Sequence, residues 1–115
     1  YRKETKNYTS SRIKEAYRFI HNNVAEDFSI RDVAESVGLK EVQFRKLFRR
    51  ETGFSPNAYI HRLRLLYSVR LLTRYNYSLK EVAGKSGFNS VSYFCSSFMK
   101  YFHCTPEHYR KKQQK

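Results

Sequence analysis

The 115-residue chain has two cysteines, four glycines, one methionine and no tryptophan, and its 23 Lys and Arg far outnumber its 10 Asp and Glu. Each scarcity excludes something. Cys95 and Cys104 stand nine apart with no second pair of the CxxC type, which argues against both a disulfide framework and a zinc knuckle. His103, Cys104 and His108 would need an invented fourth ligand, so no metal is expected. No apolar run approaches the roughly 20 residues of a membrane-crossing helix, and the N-terminus lacks the apolar stretch of a signal peptide. A cytoplasmic setting without membrane contact is therefore expected. There is no Gly-rich phosphate loop, no nucleophile paired with a base, and the ten carboxylates are scattered, so neither catalysis nor a cofactor is indicated. Met99 is the sole methionine, and the opening YRKETKNYT is polar and basic; residues 1–9 are expected to be a linker from an upstream domain.

The formal charge is +13 and the pI about 10, while 40% of residues are apolar, including 10 Tyr and 9 Phe. That much aromatic material can build a core, so the positive charge belongs to a folded surface. Such a surface attracts polyanions, nucleic acid first and acidic membrane second.

Apolar residues recur at helical spacing from the start, with Ile13, Ala16, Tyr17, Ile20 and Val24 on one stripe. Ser29 and Asp32 form a capping-box pattern that opens a short helix bearing Val33, Ala34 and Val37, and Gly38 ends it. Val42, Phe44, Leu47 and Phe48 then give another stripe, interleaved with Gln43, Arg45, Lys46, Arg49 and Arg50, and closed by Gly53. Ser55-Pro56 starts a long helix to about Tyr75, roughly 30 Å at 1.5 Å per residue. Tyr59, Ile60, Leu63, Leu65, Leu66, Val69, Leu71 and Leu72 cover most of its circumference, which predicts packing on more than one side.

After Tyr75-Asn76-Tyr77 the pattern restarts. Ser29-Ile30, Val33-Ala34, Gly38-Leu39 and Val42 match Ser78-Leu79, Val82-Ala83, Gly87-Phe88 and Val91 at an offset of 49. Phe44, Phe48, Ser55-Pro56 and Tyr59 match Phe94, Phe98, Thr105-Pro106 and Tyr109 at an offset of 50, so one residue is inserted in the turn or helix of the second copy. No two-residue alternation suggests a strand. The expected fold is all-α, with about seven helices. Two helix-turn-helix modules, 10–55 and 76–115, are joined by a linker helix at 56–75. Phe94, Phe98 and Phe102, like Phe44 and Phe48, read as core stripes and not as a platform for single-stranded bases. His21 and His61 read as surface or helix-end residues, and Arg110-Lys111-Lys112 as a solvated helix face. Gly84 sits inside a helix at a cost of up to about 1 kcal/mol, for which close packing would be a compensation.

The run Lys46-Leu47-Phe48-Arg49-Arg50-Glu51-Thr52-Gly53-Phe54-Ser55-Pro56 with Tyr59, then Arg64-Leu65 and Leu71-Leu72, resembles the first module and linker helix of the AraC/XylS family of bacterial transcription regulators. Val82-Ala83, Gly87-Phe88, Ser92-Tyr93-Phe94, Phe98, Pro106 and Tyr109-Arg110 resemble its second module. The likeness covers Ser10 to Gln113 and implies a C-terminal domain that binds double-stranded DNA, with activation expected over repression. It also implies RNA polymerase as a partner, and an N-terminal effector or dimerisation domain in the intact chain at the bacterial nucleoid. On the family's pattern, base contacts fall to Val42, Gln43, Arg45 and Lys46 in the first module and Val91, Ser92, Cys95 and Ser96 in the second. Phosphate contacts are expected from Arg49, Arg50, Arg74, Lys80, Lys85, Asn89 and Lys100.

Two departures weaken the second module: Ser96 stands where a basic residue is frequent, and His103 where glycine is usual. Charge is also uneven. Residues 1–57 carry 12 basic and 8 acidic side chains, residues 58–115 carry 11 and 2. The N-terminal half is thus expected to discriminate bases and the C-terminal half to supply phosphate affinity. The rival classes are a basic module for RNA or acidic membrane, and a DNA-targeting module of an upstream sensory or repair enzyme.

Overall fold

A computed structural model describes residues 10–113, so the expected linker at 1–9 lies outside the described residues. Among them are seven α-helices and no strand: α1 (Ser11–Asn22), α2 (Ile30–Ser36), α3 (Glu41–Thr52), α4 (Pro56–Arg74), α5 (Leu79–Lys85), α6 (Val91–Phe102) and α7 (Pro106–Gln113). The chain divides into two compact units. The first ends at His61 and the second begins at Arg62, with Val24–Glu26 belonging to the second, so the division falls within α4.

In the first unit, α1 packs on α2 and α3. Its N-cap is Ser10, whose side chain accepts from Ile13 N and whose own N–H donates to Glu51 Oε1 at 2.7 Å, tying the start of α1 to the end of α3. Ile13, Ala16 and Ile20 are fully buried, as are Val33, Ala34, Phe44 and Phe48 on the helices that α1 packs against. The helix stops at Asn22, short of Val24, whose place on the expected stripe is therefore lost. Val24 serves the second unit instead: its carbonyl, with that of Glu26, accepts from the Arg64 guanidinium at 3.0 and 2.8 Å.

The two short helices repeat one another in detail. Both carry a complete capping box, Ser29 with Asp32 and Ser78 with Glu81. Both end in a six-to-one hydrogen bond, Leu39 N to Ala34 O and Phe88 N to Ala83 O, each 2.9 Å, across a left-handed glycine at φ 76° and 88°. The recognition helices repeat as well, but at an offset of 50, since α3 starts after Lys40 and α6 after Ser90. The inserted residue therefore lies in the turn, between Gly87 and Ser90, and Ser92 rather than Val91 is the counterpart of Val42.

An aromatic lock holds each recognition helix. Phe44 and Phe48, 5.5 Å apart by ring centroids, are both buried, and Tyr59 meets Phe48 edge-on at 5.6 Å. Phe94 and Phe98 are 5.8 Å apart and Tyr109 meets Phe98 edge-on at 5.7 Å. Leu65, Leu71, Leu72, Val82, Ala83 and Phe88 complete the second core. Leu66 departs from the expectation for the linker helix and is 42% exposed, while the helix itself ends at Arg74, one residue early.

Two further expectations are corrected. Arg110 is not part of a solvated face: it is half-buried, and its guanidinium donates to Leu72 O and Tyr77 O, carbonyls at the end of α4 and in the following turn. Close packing does not account for Gly84, because a Cβ there would meet nothing within 4 Å. Gly87 is the opposite case, since its Cβ would lie 2.7 Å from Arg64 Nε and 3.1 Å from Val24 O, at φ +88°. Gly84→Ala should accordingly stabilise the domain by up to about 1 kcal/mol, and Gly87→Ala should destabilise it by at least about 1–2 kcal/mol; urea unfolding followed by circular dichroism measures both. His103 holds the left-handed position at φ 66° that Gly53 occupies in the first module at 84°. His103→Gly is expected to raise the melting temperature, by relieving roughly 1 kcal/mol of backbone strain.

Candidate nucleic-acid interface

Burying two phenylalanines four residues apart fixes the rotation of each recognition helix, and the outward face follows from that geometry. On α3, Val42, Gln43, Lys46, Arg49 and Arg50 are exposed and Arg45 is half-buried. Val42 is 65% exposed and does not belong to the apolar stripe. On α6, Ser92, Tyr93, Ser96, Met99 and Lys100 are exposed and Cys95 is half-buried, the same pattern at the offset of 50. Val91 is half-buried and packs on the core.

The proposed base-contacting residues are therefore unequal in presentation. Gln43 Oε1 accepts from Lys40 N at 3.3 Å, so this side chain caps the start of α3 as well as lying on its face. Arg45 is held by Glu41: Nε and Nη2 both reach Oε2, at 3.0 and 2.8 Å. Lys46 is exposed beside it. On α6, Ser92 is open to solvent, the Ser96 hydroxyl donates to Tyr93 O at 3.2 Å, and the Cys95 side chain packs against the second core. Tyr93, 56% exposed, and Met99, 44% exposed, share this face. Sequence reasoning passed over both. Counting from the Phe44 and Phe94 pair, instead of from the valines, pairs Tyr93 with Gln43 and Met99 with Arg49.

Of the expected phosphate contacts, Arg49, Arg50, Arg74, Lys80, Lys85, Asn89 and Lys100 are all exposed. Lys85 has a local partner, its ammonium lying 5.1 Å from the centroid of the Tyr77 ring. Ion pairs join Glu15 to Arg18 and Arg31 to Glu35 across single helical turns at highly exposed positions, where such pairs contribute little. His21 lies exposed and its Nε2 is 2.9 Å from the Tyr59 hydroxyl. Among the described residues no group of three or more His, Cys, Asp or Glu side chains could hold a metal, and no helix is long and apolar enough to cross a membrane.

Two helix-turn-helix units, each turning a regular face of its second helix outward, define a double helix-turn-helix domain. The Helix-turn-helix domain family matches residues 33–112. The chain is 35% identical over 101 residues to the regulatory protein PocR of Salmonella typhimurium, covering 88% of this chain and 33% of that protein. It is 33% identical over 93 residues to the virulence regulon transcriptional activator VirF of Yersinia enterocolitica, covering 81% and 34%. Among solved structures it resembles an AraC-type transcriptional regulator from Chromobacterium violaceum, with a TM-score of 0.83, 29% identity and coverage of 89% and 91%. It also resembles the DNA-binding domain of AdpA, solved in complex with a target DNA, with a TM-score of 0.86, 28% identity and coverage of 91% and 95%. The chain belongs to the AraC-type helix-turn-helix family of DNA-binding transcriptional regulators. It spans about a third of the length of the curated relatives it matches, and those relatives are regulators, not enzymes.

The Cys95 thiol is pushed up from its ordinary value, first by burial and then by the negative charge of Glu107. Both effects disfavour the thiolate, so alkylation should require a higher pH than for free cysteine. In a Cys104→Ser chain, the pH midpoint of the iodoacetamide rate should exceed about 8.5, and Glu107→Gln should move it part of the way down. A midpoint at or below the free-cysteine value would contradict this environment.

Proposed function

We propose that this domain binds double-stranded DNA sequence-specifically as a single chain, with α3 and α6 entering successive major grooves, and that it targets a bacterial activator to its promoter. The observation that carries the reading is the repeated exposure pattern of α3 and α6, two outward faces built on the same buried phenylalanine pair. Val42, Gln43, Arg45 and Lys46 would contact bases in one groove, and Ser92, Cys95 and Ser96 in the other, with Val91 at the margin. Tyr93 is added to the second set on its exposure. Arg49, Arg50, Arg74, Lys80, Lys85, Asn89 and Lys100 would contact phosphates.

The two faces suit different readouts. Arginine and lysine donate to the guanine O6/N7 edge, whereas serine donates or accepts at either base and apolar atoms pack on thymine methyls. With its surplus of positive charge the second half would contribute mainly phosphate affinity and the first half most of the base discrimination. VirF, a relative, is named an activator, which favours activation and hence RNA polymerase as a partner. The relatives' greater length favours an additional effector or dimerisation domain in the intact protein, and binding to bacterial DNA would place its action at the nucleoid in the cytoplasm.

Selection of duplexes from a random library by this fragment tests the reading. Two enriched blocks about one helical turn apart are expected, whereas equal binding to RNA or anionic vesicles without enrichment would overturn it. Affinity for the selected duplex should fall by about 10³ to 10⁵ between 50 and 200 mM salt if six to ten phosphates are engaged. Lys46→Ala and Arg45→Ala should each cost about 1–3 kcal/mol at one base pair, if bidentate with guanine. An equal loss on every sequence would reduce that residue to a phosphate contact.

A further inference from the structure

Glu41 is the one carboxylate on α3 that engages a residue of its reading face. Its Oε2 receives both Nε and Nη2 of Arg45, at 3.0 and 2.8 Å, one turn along the same helix. The pair is less exposed than the other ion pairs among the described residues, with side chains 39% and 41% accessible against 61% or more in the pairs on α1 and α2. Its geometry has a chemical consequence. The Nε side of the guanidinium is occupied by the carboxylate, and the Nη1 group with the outer hydrogen of Nη2 is left as the donor pair. That end-on pair has the spacing that guanine O6 and N7 accept. In the second module the corresponding positions are Val91 and Cys95, where no such pair can form.

We propose that Glu41 is a positioning residue that fixes the rotamer of Arg45, so that a base pair in the first groove is read as guanine. The inference rests on the DNA-binding reading above and sharpens it to one base. A free arginine would sample many rotamers and satisfy a phosphate as readily as a base edge. An arginine already clamped to a carboxylate loses less freedom on docking and presents one planar edge. Glu41 also opposes phosphate contact by this residue, because its charge offsets the monopole and leaves hydrogen-bond direction as the main determinant.

The test measures dissociation constants of the fragment for its selected duplex and for the three duplexes altered at the guanine assigned to Arg45. The unmodified chain is compared with Glu41→Ala, Glu41→Gln, Arg45→Ala and the Glu41→Ala/Arg45→Ala double variant. Glu41→Ala should reduce the preference for guanine by roughly five- to tenfold, within the range that a good bidentate contact supplies. Glu41→Gln, which keeps an acceptor oxygen, should retain part of the preference. In the Arg45→Ala background the Glu41 substitution should leave base preference unchanged, since the residue acts through Arg45. A loss of preference persisting in that background would overturn the proposal, because Glu41 would then read a base itself, as a carboxylate does at cytosine N4. An equal gain of affinity on all four duplexes would also overturn it, reducing Glu41 to a repelling charge. If the unmodified chain selects no duplex, the DNA-binding reading falls and this inference with it; a selected duplex without coupling removes this inference alone.

Discussion

Each recognition helix is held to its unit by a pair of buried phenylalanines one turn apart, Phe44 with Phe48 and Phe94 with Phe98, and the outward chemistry depends on that attachment. A helix seated by two aromatic side chains at i and i+4 has no rotational freedom left. The tyrosine brought in by the next helix, Tyr59 or Tyr109, closes over the second phenylalanine edge-on and blocks withdrawal of the ring. Losing one of these rings would cost about 3–5 kcal/mol, a large part of what a domain of this size has to spare. Polar side chains on the opposite face bear none of this burden.

Because burial and recognition fall on opposite sides of the same helices, the two modules keep one frame while differing entirely in surface chemistry. The first presents Val42, Gln43, Lys46 and Arg49; the second presents Ser92, Tyr93, Ser96 and Met99 at the matching places. Substitutions on such a face usually alter stability by little. The first module also keeps a carboxylate on its recognition helix, whereas α6 has no acidic residue at all. Direction of hydrogen bonding can be controlled only where an arginine has something to be held against.

Much of this architecture was legible in the sequence, for physical reasons specific to each element. The capping boxes at Ser29 and Ser78 are local, since hydroxyl, carboxylate and amides lie within four residues. The phenylalanine stripes declare themselves by period. What periodicity could not show was partnership between distant segments. Arg110 sits in a basic run that looks solvated until the carbonyls of Leu72 and Tyr77 come within its reach, 38 and 33 residues away. Arg64 similarly holds Val24 and Glu26, which is why Val24 is not a continuation of α1. Val42 misled because a valine beside Phe44 matches an apolar stripe by type but not by angle. Burial at the opposite side of the helix decides against it.

The inserted residue of the second module shows how strictly the seating of α6 governs its face. One residue added within the helix would turn everything beyond it by about 100°, replacing Phe94 with its neighbour at the core. In the turn, the same insertion moves the helix start from Ser90, its place at the offset of 49 from Glu41, to Val91 and leaves Phe94 and Phe98 buried. The turn absorbs it between Gly87, whose left-handed backbone ends α5, and Ser90, whose hydroxyl caps α6 through Tyr93 N at 3.1 Å. The register of the reading face is thus set by the aromatic core and not by distance from the preceding helix. That is why Ser92 and Tyr93 stand where Val42 and Gln43 do, and why Val91 turns inward.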